Sequence, residues 1–184
     1  MKYPVTFALF FAPAMLMLSG CLTGKLSAPA LPAGLNQPSP VTVTKINGLK
    51  LGLPNGWKSV KVSKKDRKSG GIIELKHKKY GSITIYKAPA MADARYGQLF
   101  THTLVETVMP DYEAKGGGYA VKSGAIIRVY TGTMKVVGER RKFNAYTAYN
   151  ISQGMSEYYM HALILDKKRN ARVFYDFIAI ANSI

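Results

Sequence analysis

The chain has a single cysteine, Cys21, so it has no partner for an internal disulfide and cannot build a zinc–thiolate site. Histidine is also scarce: His77, His102 and His161 lie far apart in sequence, with no His-Glu-x-x-His pair and so no helix-borne zinc site. There is no Gly-x-Ser-x-Gly nucleophile elbow. Gly116-Gly117-Gly118 lacks the Gly-Lys-Ser/Thr ending of a phosphate-binding loop and precedes strand-like sequence, which makes it a flexible loop. Acids are few, 10 Asp+Glu against 26 Lys+Arg, and they do not cluster. Asp111 and Glu113 flank one loop, but nothing in the sequence opposes them across a cleft as glycoside hydrolysis needs. His102 and Glu106 are four apart on a helical pattern, the spacing of an ordinary surface pair. These absences argue against metal, cofactor and catalytic chemistry and favour a non-enzymatic protein.

One long apolar run is present, from Val5 to Leu18, after Lys2. A basic start, a run too short to span comfortably and small residues at its end read as an export signal rather than a transmembrane helix. The run closes on Leu18-Ser19-Gly20-Cys21, which resembles the lipobox of bacterial lipoproteins. That resemblance implies removal of residues 1–20 and acylation of Cys21, hence a membrane partner through an N-terminal lipid anchor (palmitate among its acyl groups). Leu22, where Asp would favour inner-membrane retention, implies the outer membrane facing the periplasm in a Gram-negative cell. Residues 21–43 hold Pro29, Pro32, Pro38 and Pro40 among Ser, Ala and Gly, the composition of a tether. Residues 44–184 then form one domain of ordinary size.

The net charge is +16. Much of the excess lies between Lys58 and Lys87, where Lys64, Lys65, Arg67, Lys68, Lys76, Lys78 and Lys79 face only Asp66 and Glu74. Further basic runs are Arg140-Arg141-Lys142 and Lys167-Lys168-Arg169. Such a surface attracts anions over about a Debye length, roughly 8 Å at physiological salt. Export argues against nucleic acid. Anionic lipid or polymer of the envelope, or an acidic protein, remain as partners; a merely solvated basic face is the alternative. Those seven cations are the candidate binding site, their role being steering and pairing with head groups or carboxylates.

Alternating segments predict strands at 49–53, 57–62, 72–77 and 82–86. Lys64 to Gly71 reads as a charged turn. From Tyr96 to Val108 the period becomes helical. Tyr96, Leu99, Phe100, Thr103, Leu104, Thr107 and Val108 form the inner face, with Arg95, Gln98, His102 and Glu106 outside, a cap at Asp93 and a stop at Pro110. Strands return at 125–130, 133–137, 142–151 and 158–165, with turns at Gly132, Gly138 and Gln153-Gly154. Helix 168–182 ends the chain on a stripe of Val173, Phe174, Phe177, Ile178 and Ala181. His77 and His161 fall in strands, as hydrogen-bonded structural imidazoles. Tyr130, Tyr146, Tyr149, Tyr158 and Tyr159 serve either sheet packing or an exposed aromatic strip.

This order predicts an α+β fold, an antiparallel sheet with two main helices packed on it. The opening Leu49-Lys50-Leu51-Gly52-Leu53-Pro54-Asn55-Gly56-Trp57 resembles the start of Mog1/PsbP-like domains. With the lipobox ahead of it, the chain is similar to DcrB-like envelope lipoproteins. The resemblance implies a non-catalytic adaptor, assembly or envelope role and supplies no catalytic residues. The expected function is a lipid-anchored envelope module whose basic surface engages an acidic partner. A periplasmic immunity or adaptor protein is the alternative, and an envelope hydrolase a more distant one.

Overall fold

The computed structural model describes residues 39–184 except 91–93, 116–117 and 166–169. Cys21 and the apolar run before it, Asp93, Gly116-Gly117 and Lys167-Lys168-Arg169 lie outside the described residues. The chain begins with a hairpin, β1 (Val41–Ile46) on β2 (Leu49–Pro54). Its turn is Asn47-Gly48, with φ of 50° and 84°, the pairing that a two-residue hairpin turn with two positive φ angles prefers. Strand β1 starts inside the segment read as tether. Its signal was the Val-Thr-Val-Thr alternation leading into Asn-Gly.

The main sheet is antiparallel and comprises β3 (Trp57–Val60), β4 (Gly71–His77), β5 (Gly81–Lys87), β6 (Glu113–Ala114), β7 (Tyr119–Ala120), β8 (Ile126–Val136), β9 (Glu139–Gln153) and β10 (Ser156–Leu165). Its order is β3-β4-β5-β10-β9-β8-β6, with β7 also on β8. Three helices cover it: α1 (Lys64–Lys68), α2 (Ala94–Val108) and α3 (Asn170–Ser183). The fold is α+β, as the element order implied.

Strand alternation divides the sheet into two apolar faces. One carries Ile73, Leu75, Ile83, Ile85, Tyr146 and Met160 and packs against Val173, Phe177 and Ile178 of α3 and against Leu49 and Leu51 of the hairpin. Ser183 Oγ accepts from Gly52 N at 2.6 Å, so the end of α3 is pinned to β2. Trp57 lies in this core; its indole donates to the buried carboxylate of Asp176 at 2.8 Å.

The opposite face carries Tyr86, Tyr130, Tyr149 and Tyr159 beneath α2. At Tyr149–Asn150 a β-bulge opposes Tyr159, and Asn150 takes φ of 60°, a left-handed angle that asparagine tolerates. The five tyrosines of β8, β9 and β10 singled out in the sequence are all buried, between 1% and 9% exposed, so they pack the sheet and form no exposed strip.

Three local readings change. Lys64–Lys68 is a helical turn, not an irregular one, because Ser63 caps it by accepting from Asp66 N at 3.0 Å. Gly132 is no turn: β8 runs through it, and its missing Cβ would lie 3.0 Å from Tyr112 Cα. The glycine is there because another segment of backbone passes close by. Finally, α2 is rotated from the expected face. Gly97, Thr101, Val105 and the following Met109 face the sheet, while Tyr96 and Leu99 are 42% and 64% exposed. Thr101 is tolerated inside because its hydroxyl donates to Gly97 O at 2.9 Å. His102, expected on the outer face, is half-buried and bonds the Tyr112 hydroxyl.

A polar row crosses the centre of this face. Thr84, His161, Thr147 and Arg128 are neighbours on four adjacent strands. His161 Nε2 is shielded from solvent and has no hydrogen-bond partner among the described residues. Burial lowers its pKa from 6.5 to about 4. The unfolded chain therefore takes up this proton first as pH falls, and stability should decline between about pH 6.5 and 4. Urea melts at pH 7 and pH 5 check this: His161→Gln should show a smaller loss than wild type. An equal loss in both would assign the acid sensitivity elsewhere, His77 being the next group, since burial lowers it too.

Candidate functional site

The seven candidate cations are carried by α1, β4 and the turn after β4. At about 100° per residue, Lys64, Lys65, Arg67 and Lys68 spread over one arc of α1, and Asp66 alone points the other way. Asp66 is the helix's anchor. Its carboxylate accepts from Tyr86 Oη at 3.0 Å and from Ser63 Oγ at 2.6 Å. Tyr86 is buried, and burial together with the Asp66 charge raises its pKa, so the phenol stays protonated as donor. Glu74 of β4 accepts from Ser63 N at 3.1 Å and fixes the start of the helix. Both acids of this region thus hold α1 to the sheet and face inward.

The four cations of α1 are exposed. Lys76 is two residues beyond Glu74 on the same face, about 7 Å along the strand. It is exposed and pairs across the sheet with Lys58 of β3. Lys78 and Lys79 follow in the exposed turn, where Lys79 N donates to His77 Nδ1 at 3.1 Å. The fold therefore spreads the seven along the β3–β4 border, with α1 at the start of β4 and Lys78-Lys79 beyond its other end, and the register adds Lys58. Directly opposed like charges on neighbouring strands are unfavourable. Among the described residues the ion pairs are Arg140–Asp111, Arg141–Glu139 and Arg172–Asp176, and none involves a cation of this edge.

Beside α1 runs a groove of about 430 Å³ between Ser69-Gly70, Ile72, the segment Lys87-Ala88-Pro89, and Tyr96, Phe100 and Tyr159. It is mainly apolar, and Lys87 is the one cation on its wall. The remaining titratable groups stay separate. His77 stacks on Tyr80 with ring centres 4.1 Å apart, and His102 contacts Tyr112 rather than Glu106. Asp111 accepts from the Thr133 hydroxyl and amide, which hold its carboxyl below the usual range, and pairs with Arg140 rather than acting with Glu113. Among the described residues no three of His, Cys, Asp and Glu converge as a metal site would need. No helix among them is long and apolar enough to cross a membrane.

The fold defines the class: an α+β sandwich, with a border whose exposed cations make no ion pair among the described residues. No family model matches the chain, and no curated protein matches it. Among solved structures it is similar to LpqN of Mycobacterium tuberculosis, described as involved in cell envelope biogenesis. Identity is 16% over 78% of this chain and 82% of that one, with a TM-score of 0.44. It is also similar to PA94 of Pseudomonas aeruginosa, a protein of unknown function and putative regulator. There identity is 11% over 68% of this chain and 83% of that one, with a TM-score of 0.31. At these values neither likeness extends to function.

Proposed function

We propose that this chain is a lipid-anchored protein of the cell envelope, acylated at Cys21, that acts by binding and not by catalysis. Its ligand is an acidic envelope component, a protein or an anionic polymer, held at the edge formed by Lys64, Lys65, Arg67, Lys68, Lys76, Lys78 and Lys79. The observation that carries the reading is that those cations have no ion-pair partner among the described residues, with Asp66 and Glu74 turned inward. A partner supplying carboxylates or phosphates there relieves the like-charge repulsion among these cations. The lipobox supports the anchor, and Leu22 supports an outer-membrane position. The Mog1/PsbP-like start of the domain supports a non-catalytic role.

The test is purification of the full chain from membranes at low and high salt, followed by identification of what accompanies it. A triple substitution, Lys64→Glu, Lys65→Glu and Lys68→Glu, should abolish the salt-sensitive association and leave the melting temperature within a few degrees. All three side chains are exposed and none anchors the helix. Cys21→Ser should release the protein's acyl label. Unchanged association in the triple variant would refute the site. One protein retained through high salt would indicate a packed interface of the adaptor or immunity kind.

A further inference from the structure

Among the described residues, the hairpin β8–β9 projects beyond the strands beside it. Strand β10 pairs with β9 only as far as Phe143, and β6 reaches β8 only at Thr131. From Thr133 to Lys142 the strands pair only with each other among the described residues. The tip turns on Val137-Gly138, with φ of 49° and 87°. This is the turn geometry that Asn47-Gly48 adopts in β1–β2, where both residues suit it. At the tip a β-branched valine takes the left-handed position that asparagine fills in the other turn. Such an angle is a strained outlier for valine. Burial does not compensate, since Val137 is 98% exposed. A residue that is wrong for the turn and wrong for water points to a third environment.

Its surroundings specify that environment. Lys135, Arg140, Arg141 and Lys142 flank the tip. Lys135 and Lys142 have no ion-pair partner among the described residues, while Arg140 and Arg141 make solvent-exposed pairs with Asp111 and Glu139. Exposed pairs of this kind are weak enough to yield to a competing anion. Behind the tip is a recess of about 650 Å³ lined by Val108, Pro110, Asp111, Thr133, Met134, Lys135, Gly138 and Arg140, part apolar and part charged, with Asp111 paired to Arg140. An apolar point flanked by four cations, with the tip's own carboxylate Glu139 paired to Arg141, fits the interface of a bilayer, apolar inside and phosphate outside. An acidic protein would meet the cations but leave Val137 unexplained.

We propose that the β8–β9 tip is a second membrane contact: Val137 enters the interfacial layer of an anionic bilayer, and Lys135, Arg140, Arg141 and Lys142 pair with lipid phosphates. These residues are separate from the β3–β4 edge; the proposal rests on the reading of a lipid anchor at Cys21 and stands without the reading of that edge. It would fix the orientation of the domain on the surface.

The test is amide hydrogen exchange on the full chain held on vesicles by its own N-terminus. Phosphatidylglycerol-containing vesicles are compared with vesicles of phosphatidylcholine alone. Exchange across residues 134–142 should slow severalfold on the anionic vesicles only, while the turn at Gly154-Met155, also exposed, is unchanged. Val137→Asn should abolish the slowing yet raise the urea midpoint, because asparagine suits the turn; loss of fold is thereby excluded as the cause. Lys135→Glu with Lys142→Glu should abolish it as well. Equal exchange on both vesicle types would overturn the proposal. So would protection that survives Val137→Asn, or protection by soluble polyglutamate as strong as that by anionic vesicles.

Discussion

Trp57→Ala should destabilise the protein by about 3–5 kcal/mol, a large share of the roughly 5–15 kcal/mol that holds a typical domain together. Two effects combine. Trp57 is 4% exposed at the joint between β3 and α3, and its removal opens a cavity in the larger core. It also strips the indole N–H from Asp176, a fully buried carboxylate whose other oxygen lies 3.2 Å from the half-exposed Arg172 guanidinium. A buried charge that loses a partner is far more damaging than an exposed one. Trp57→Phe shifts the balance between the two effects: it removes the donor but keeps six of the nine ring atoms, so the cavity is smaller, for an expected loss of about 1–3 kcal/mol. Adding Asp176→Leu to Trp57→Phe removes both polar partners and should recover part of that loss, as a urea-denaturation cycle would measure. A neutral Trp57→Phe would mean that the indole–carboxylate bond contributes nothing net.

The second large effect has a sign that local rules get wrong. Glycine inside a helix is worse than alanine by about 1 kcal/mol, so Gly97→Ala in α2 would ordinarily stabilise. Here an added Cβ would sit 2.7 Å from the Tyr159 ring and 3.0 Å from Tyr149 Cβ. Neither can retreat easily: Tyr159 is 1% exposed and packs against Phe100 with ring centres 5.4 Å apart, and a Cβ moves only with its backbone. Gly97→Ala should therefore cost about 1–3 kcal/mol, as overpacked cores do. Gly97→Leu should lift α2 from the sheet, seen as loss of near-ultraviolet tyrosine dichroism with the far-ultraviolet signal largely kept. Tyr159→Leu should rescue Gly97→Ala in part, because Tyr149 Cβ remains. A stabilised Gly97→Ala would show that the helix docks more loosely than these distances imply.

Both predictions turn on residues whose identity was plain in the sequence and whose meaning was not. Trp57 announced itself beside Pro54-Asn55-Gly56, yet nothing local connects it to Asp176, 119 residues later. In the sequence Gly97 is one small residue in a helical period, and hydrophobicity alone assigns the face of α2. The close approach at Gly97 rotated that face, turning Leu99 outward and Thr101 inward. Gly132 misled in the opposite sense, since a glycine between two apolar runs reads as a turn unless another backbone is known to pass there. The exposed edge was more legible. Charge density marked Lys64 through Lys79, and no packing constraint moved those side chains inward. The missed member, Lys58, lay in the same basic stretch and needed only the β3–β4 register to join it.

By itself the sequence determined which segments alternate, where the period becomes helical and where positive charge accumulates. Each of these depends on neighbours a few residues away, or on the cost of burying a charge wherever it falls. The tertiary structure alone decided which face of α2 meets the sheet, which tyrosines lie on which side, that Asp66 and Glu74 turn inward while their basic neighbours make no ion pair among the described residues, and that the β8–β9 tip extends past the described strands beside it. Those outcomes depend on strand register and on contacts between residues distant in sequence, where a single Cβ or a single hydrogen bond selects among arrangements that local preference leaves equal.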